Sequence, residues 1–156
     1  MEIDSDAGLS PEGRLALAED GPSDAPPLNG DQSHPNGAIE LVESVLCVPD
    51  AQLADYDRRY ACYLQRLSHS DGPLHIFDLG EARVMIVPAS ALGSVLPGEV
   101  PPDLPSFVGY GVAVHDLRKT RDTLQRAGFP VQKSSSGAIY VPAAAALAAT
   151  VIFRAA

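Results

Sequence analysis

The sequence predicts an α+β fold made of two copies of one module, in which a strand is followed by a helix and then by a few antiparallel strands. Two observations predict this duplication. Apolar runs of strand length and amphipathic helical stretches recur in the same order in both halves of residues 38–156. The first strand also ends alike in the two halves, because VLCVPD at 45–50 aligns with GVAVHD at 111–116. Two such modules can combine their strands into one curved sheet.

The first 37 residues differ from the remainder in composition and charge. They hold eight acidic residues and one basic residue, a formal charge of -7, together with five prolines, five glycines and no aromatic residue. Such a stretch buries too little apolar surface to offset the entropy lost on ordering it. We therefore expect residues 1–37 to be a disordered acidic leader or linker and residues 38–156 to be the folded domain.

The first module is predicted to begin with a strand at 41–48, which contains Glu43, and to continue with an amphipathic helix at 51–67. Two strands at 74–79 and 82–87 are joined by a tight turn, a pattern typical of a hairpin. The helix residues expected to face the core are Leu53, Tyr56, Tyr60, Tyr63, Leu64 and Leu67.

The second module follows a proline-rich connection at 88–105 and repeats the same order of elements. A strand is predicted at 107–114 and a helix at 117–127, with Asp116 as its N-cap and Gly128 as its left-handed C-cap. Three further strands are predicted at 131–134, 138–141 and 150–154.

Charge, cysteine content and hydropathy narrow the classes of partner and the compartment. The whole chain has a formal charge of -9, which disfavours nucleic acid and anionic membranes as partners. Cys47 and Cys62 lie within predicted elements and are interpreted as small core residues in a reducing compartment. The N-terminus has no secretory signal pattern, and the longest apolar stretch, 139–153, is interrupted by Pro142. We expect a soluble, cytoplasmic protein.

The order of these segments resembles the vicinal oxygen chelate superfamily, and within it the glyoxalase-like domain proteins. The matching segments are ELVESVLCVPD, the helix that ends in YLQRL, PLHIFDLGEARVMIVP, SVLPGEVPPDLPSFVGYGVAVHDL, RKTRDTLQRAGFPVQ and IYVPAAAALAATVIFR. The resemblance implies paired βαβββ modules at 39–88 and 106–155 that form a half-open cup of mixed sheet with two helices outside. The leader loosely resembles the segment between the two halves of longer relatives, which would make this chain a C-terminal half.

The resemblance also implies where a divalent metal would bind. Members of the family commonly hold the metal with a His in the first strand of a module and a Glu in its last strand. Here the first-strand positions are Glu43 and Gly109, the last-strand position of the second module is Ile152, and residues 83–87 contain no acid. We therefore expect the standard metal site to be absent, and we predict no cofactor.

The candidate ligand-binding residues are those expected to face the cup. They are Glu43, His75, Phe77, Gly109, Gly111, Ile152 and Arg154. Glu43 could bind a cationic group, act as a base, ligate a metal in a non-standard way, or be a carboxylate in solvent at the rim. His75 could be structural, and Arg154 could bind an acidic ligand. The two glycines either leave room for a ligand or allow close packing of protein atoms.

Three functions fit these expectations. The first is a metal-free glyoxalase-like domain that binds a small molecule in the cup or serves as a structural half. The second is a metal-dependent lyase, isomerase or ring-cleaving dioxygenase that uses Glu43 and His75 together with groups from a partner chain. The third is an antibiotic-sequestering protein, since acidic cups in this superfamily can capture cationic drugs. A small-molecule ligand and a homodimer are the expected partners.

Overall fold

The computed structural model describes residues 2–3, 11–13, 15–16, 34–101 and 103–156. The strands are β1 (Glu2–Ile3), β2 (Leu15–Ala16), β3 (Ala38–Val48), β4 (His69–Asp71), β5 (Leu74–Asp78), β6 (Arg83–Pro88), β7 (Ser106–Val114), β8 (Gln132–Lys133), β9 (Ile139–Val141) and β10 (Thr150–Ala155). The helices are α1 (Leu53–Leu64), α2 (Leu92–Val95) and α3 (Leu117–Arg126). β1 pairs with β2, and the other eight strands form one sheet in the order β4-β5-β6-β3-β7-β10-β9-β8.

The sheet is built from two modules with equivalent pairing. β3 lies parallel to β6 and β7 lies parallel to β10, and each of these pairs is flanked by antiparallel strands. The two modules meet where β3 and β7 pair antiparallel at the centre of the sheet. The predicted α+β fold with paired βαβββ modules is thereby confirmed.

The outer face of the sheet is covered by α1 and α3. Helix α1 buries Tyr56 and Tyr60 against residues of β3, β5 and β6, and α3 buries Leu124 against the second module. Asp116 accepts hydrogen bonds from the backbone amides of Arg118 and Lys119, which confirms it as the N-cap of α3. Gly128 has φ 85°, the left-handed conformation expected where this helix ends.

The inner face, which lies opposite α1 and α3, is partly filled by the chain itself. The segment at 89–96, which includes α2, packs Leu92 and Leu96 against inner residues of both modules. These partners include Val45 and Cys47 of β3 and Ile152 of β10, all buried. An apolar plug therefore occupies this part of the cup, and it restricts any ligand to the remaining part.

Several elements differ from their predicted bounds. Helix α1 ends at Leu64 because Gln65 adopts a left-handed conformation with φ 52°, and Leu67 beyond it is 89% exposed instead of buried. The polar stretch after the helix forms β4, an additional edge strand. Cys62 is exposed on α1, so its interpretation as a core residue is wrong, whereas Cys47 is buried as predicted.

One described part of the leader contacts the domain. Glu12 is buried on α1, where Tyr60 donates its hydroxyl hydrogen to Oε1 at 3.1 Å and Arg59 Nη2 lies 3.1 Å from Oε2. Burial and the nearby Glu12 carboxylate raise the pKa of Tyr60. Most other residues of the predicted disordered leader lie outside the described residues.

Candidate functional site

Glu43 lies on the inner face of β3, on the same side as Val45 and Cys47, as the two-residue period of the strand predicts. It is 2% exposed, so the alternative of a solvated rim carboxylate is wrong. Space for its side chain comes from Gly111, which is directly opposite on β7. A Cβ atom at Gly111 would lie 2.7 Å from Glu43 Cβ and 3.4 Å from Oε1.

Two arginines hold the Glu43 carboxylate. Arg83 is the register partner of Glu43 on β6, and its Nε and Nη2 both lie 2.5 Å from Oε2. Arg154 reaches across β7 from β10 and donates from Nη2 to Oε1 at 3.0 Å. Its Nη1 donates to Ser136 Oγ at 3.0 Å. We refer to Arg83, Glu43 and Arg154 as the arginine–glutamate triad.

A cavity of about 730 Å³ opens beside this triad. Both arginines line it, and their side chains are 33% and 21% exposed, while Glu43 lies beneath them with a side chain that is 1% exposed. Exposed carboxylates of Glu40, Asp78 and Glu81 also line the cavity. The cavity is therefore lined by two partly buried guanidinium groups and by three solvent-exposed carboxylates.

His75 and Phe77 lie on the outer face, so their prediction as cup-facing residues is wrong. In the pairing of β5 with β6, Ile76 lies opposite Met85, and both belong to the inner core. Phe77 is buried against α1, and His75 Nδ1 lies 2.8 Å from Asp57 Oδ1 of the same helix.

This contact affects the acidity of Asp57. Burial raises the pKa of the Asp57 carboxyl, but hydrogen bonds from Ser68 and His75 outweigh burial, so the pKa lies below its ordinary value. His75 thus fixes α1 to the hairpin and does not reach the cavity.

The glycines and Ile152 also have structural roles. A Cβ atom at Gly109 would lie 2.8 Å from the backbone oxygen of Thr150 on β10, so Gly109 permits close strand packing. Gly111 makes room for the side chain of Glu43. Ile152 is 1% exposed and packs in the inner core. Arg154 alone among the predicted candidates lines the cavity, and Glu43 lies directly behind it.

The residues at the metal positions that the resemblance implies do not fit a divalent ion. Glu43 is the one carboxylate there, and its two oxygens already accept hydrogen bonds from two cationic groups. Metal sites in proteins usually need three or more donors with free lone pairs. In the part of the chain that the structure describes, no three His, Cys, Asp or Glu side chains converge in this way. The residues at these positions therefore do not support a metal-dependent step.

Arg83 is a site residue that the sequence reasoning did not identify. A search for His and acidic residues passes over arginines, although Arg83 begins the second strand of the predicted hairpin. The usable signal was the parallel pairing of the first and last strands in a βαβββ module, which places the start of β6 beside Glu43.

Solved structures share this fold. The methylmalonyl-CoA epimerase from Mycobacterium tuberculosis superposes with a TM-score of 0.57 at 12% identity, covering 76% of this chain and 89% of that one. The Streptomyces coelicolor epimerase, solved in complex with 2-nitronate-propionyl-CoA, gives 0.58 at 8% identity over 76% and 95%. A hypothetical protein from Bacillus halodurans C-125 gives 0.56 at 14% identity over 75% and 94%.

These likenesses and the paired βαβββ modules define the class: the chain has the vicinal oxygen chelate fold. No protein-family model matches the sequence, and no curated protein matches it. Among the described residues, no helix is long and apolar enough to cross a membrane. A shared fold does not by itself define an activity, which depends on the residues of the site.

Proposed function

We propose that this chain is a metal-independent, small-molecule-binding protein of the vicinal oxygen chelate fold, with its binding site in the cavity beside Arg83 and Arg154. One observation carries the proposal. The carboxylate at the family's first metal position is held by two guanidinium groups, and these groups in turn line a cavity of about 730 Å³. A volume of this order is typical of small-molecule sites.

The same contacts favour binding over acid–base catalysis. Arginine stays protonated in proteins, so Arg83 and Arg154 offer hydrogen bonds and charge but no proton-accepting group. Glu43 is beneath them, with both oxygens engaged, and cannot approach a substrate proton without breaking an ion pair. The triad can orient a ligand, and none of its three side chains is placed as a general base.

The metal content of the purified protein distinguishes this proposal from the metal-dependent alternative. If the proposal is correct, the following results are expected. Elemental analysis after dialysis without chelator should find no stoichiometric divalent ion, and zinc, manganese, nickel or magnesium should not raise the melting temperature. A stoichiometric ion in the wild type that is lost in Glu43→Gln would refute metal independence. The exposed Glu40, on the same strand, provides Glu40→Gln as a matched control.

The antibiotic-sequestering alternative requires carboxylates that are available to a cation. Glu43 is not available, because Arg83 and Arg154 neutralise it. Basic glycopeptide-type compounds should therefore leave the melting temperature unchanged. A rise in melting temperature that is abolished by Glu43→Gln would favour this alternative instead.

The remaining expectations belong to the same proposal. A cytoplasmic location is supported by two free cysteines, one of them exposed. A folded domain at 38–156 would be released intact by limited proteolysis of the leader. Light scattering of the full chain would test the homodimer.

A further inference from the structure

The geometry points to a ligand that presents a singly charged oxyanion, such as a carboxylate, to Arg83 and Arg154. This inference rests on the proposed function and specifies its ligand class. The arginine–glutamate triad has a net positive charge. Two guanidinium charges face one carboxylate charge, so the triad has a formal charge of +1 that Glu43 does not neutralise.

The two guanidinium groups keep hydrogen-bond donors that Glu43 and Ser136 do not use. Arg83 donates one hydrogen bond to Glu43, from Nε, and its Nη2 lies 2.5 Å from the same oxygen. Arg154 donates one hydrogen bond to Glu43 and one to Ser136. Further N–H groups remain on both guanidiniums, and the Nε of Arg154 is buried without a hydrogen-bond partner among the described residues. A buried donor without an acceptor is costly, and an anionic ligand that let the guanidinium reorient would lower that cost.

Three carboxylates beside the triad limit the negative charge that a ligand can carry. Glu40, Asp78 and Glu81 line the cavity, and all three residues are exposed to solvent. Asp78 is the register partner of Arg83 in the sheet. Its carboxylate lies beside another side chain, since Oδ2 is 3.3 Å from Nδ1 of His69. Exposed carboxylates are screened, so they do not prevent one anionic group from reaching the guanidiniums. They do oppose a second negative charge on the ligand, and they suit a neutral or cationic remainder.

The planar guanidinium fork matches the geometry of a carboxylate, which makes this the favoured oxyanion. Inorganic phosphate offers similar oxygens with more charge. Phosphate should bind more weakly than a monocarboxylate, because Glu40, Asp78 and Glu81 repel its additional negative charge.

The test uses the full chain and matched probe pairs, namely propionate with propionamide and benzoate with benzamide, together with inorganic phosphate. Binding is followed by the arginine Nε–H resonances in ¹H–¹⁵N spectra and by the melting temperature. We expect the carboxylate of each pair to shift the Arg83 and Arg154 resonances and to raise the melting temperature. The carboxamide should do neither.

Variants separate a binding site from a merely structural ion pair. Glu43→Gln leaves both guanidiniums uncompensated, so carboxylate affinity should rise by about tenfold, even though the variant is less stable. Arg83→Lys retains the charge and loses the fork, and should weaken binding. Arg66→Gln, at an exposed arginine after α1, should change nothing.

The outcomes are distinguishable. Equal binding of carboxylate and carboxamide, or no gain in Glu43→Gln, would overturn the anionic ligand class and leave a small-molecule site in place. Stronger binding of phosphate than of monocarboxylates would overturn the role given to Glu40, Asp78 and Glu81. Failure of every probe together with a stoichiometric metal ion would refute the proposed function itself.

Discussion

Replacing Gly111 by alanine tests whether the space beside this glycine on β7 is occupied by the Glu43 side chain or is free for a ligand. The added Cβ would lie 2.7 Å from Glu43 Cβ, whereas carbon atoms pack at about 3.5–4.0 Å. The two strands or the Glu43 side chain would therefore have to move by about 1 Å. Glu43 cannot move without disturbing its hydrogen bonds to Arg83 and Arg154.

The expected cost follows from these contacts. Overpacking of a well-packed site costs about 1–3 kcal/mol. A weakened hydrogen bond to a partly exposed charged partner adds about 1 kcal/mol, and loss of glycine entropy in the unfolded chain returns about 0.5 kcal/mol. The net loss in the free energy of unfolding is about 1.5–3.5 kcal/mol. At an m-value of about 2 kcal/mol per molar urea, the unfolding midpoint should fall by roughly 0.8–1.8 M.

The chain offers the same substitution at two other glycines as controls. Gly93, in α2, has no atom within 4 Å of an added Cβ, so Gly93→Ala should stabilise the protein by about 0.5–1 kcal/mol. Gly109→Ala places Cβ 2.8 Å from the Thr150 carbonyl oxygen and should destabilise at least as much as Gly111→Ala, since backbone gives way less easily. A Gly111→Ala midpoint equal to that of Gly93→Ala would refute the packing described for Glu43.

Three further predictions concern other groups. Glu43→Gln should lower the free energy of unfolding by about 2 kcal/mol in urea titration, because the arginines it leaves are only partly buried, and the exposed Glu40→Gln should have little effect. Cys62 should react with a thiol reagent at pH 8 in the native state, and Cys47 should react only after unfolding. The reason is that burial, together with the nearby Asp50 carboxylate, raises the pKa of Cys47 to about 11. Reaction of both thiols in the folded protein would contradict this. Backbone N–H groups of Lys119 and Arg118 hold the pKa of Asp116 below its ordinary value, so its stabilisation is present above about pH 3.9 and lost as pH falls through the folded pKa. In a plot of melting temperature against pH, Asp116→Ala should lose less stability than the wild type as the pH falls. An acid decrease equal to that of the wild type would refute the capping role.

The sequence predicts the fold well because the signal is repeated. The strand ends at 45–50 and 111–116 and the two amphipathic helices supply the same pattern twice, and each copy supports the other. The face of Glu43 follows from the two-residue period of a long strand, whose outer residues are fixed by the helix packed on them. Those features are local, and so they can be read from neighbouring residues.

The hairpin shows where such reasoning fails. In LHIFDL both alternating sets contain large apolar residues, Leu74 and Ile76 in one and Phe77 in the other. The period therefore divides the strand into two faces without indicating which one faces inward. The choice is made by pairing with β6, where Ile76 meets Met85, and by His75 contacting Asp57 of α1. Neither contact is encoded near His75.

Long-range pairing also decides the state of Glu43. Its two arginine partners are 40 and 111 residues away in the sequence, so no local pattern distinguishes a solvated carboxylate from a buried one. In the structure, pairing of β3 with β6 brings Arg83 to Glu43, and the absence of a side chain at Gly111 leaves room for the carboxylate that Arg154 contacts. Glu43 and Gly111 are thus one packing unit.

The distribution of charge along the chain bears on what the arginine–glutamate triad can bind. Of the formal charge of -9, residues 1–37 carry -7 and residues 38–156 carry -2. The field of the domain is therefore weak beside the local effect of two half-buried guanidiniums, whose interactions are screened less than those of exposed groups. An acidic protein can then bind an anionic group, provided that the group reaches Arg83 and Arg154 directly. The overall charge predicts poor binding of polyanions, and the inner face of the sheet determines the response to a single carboxylate.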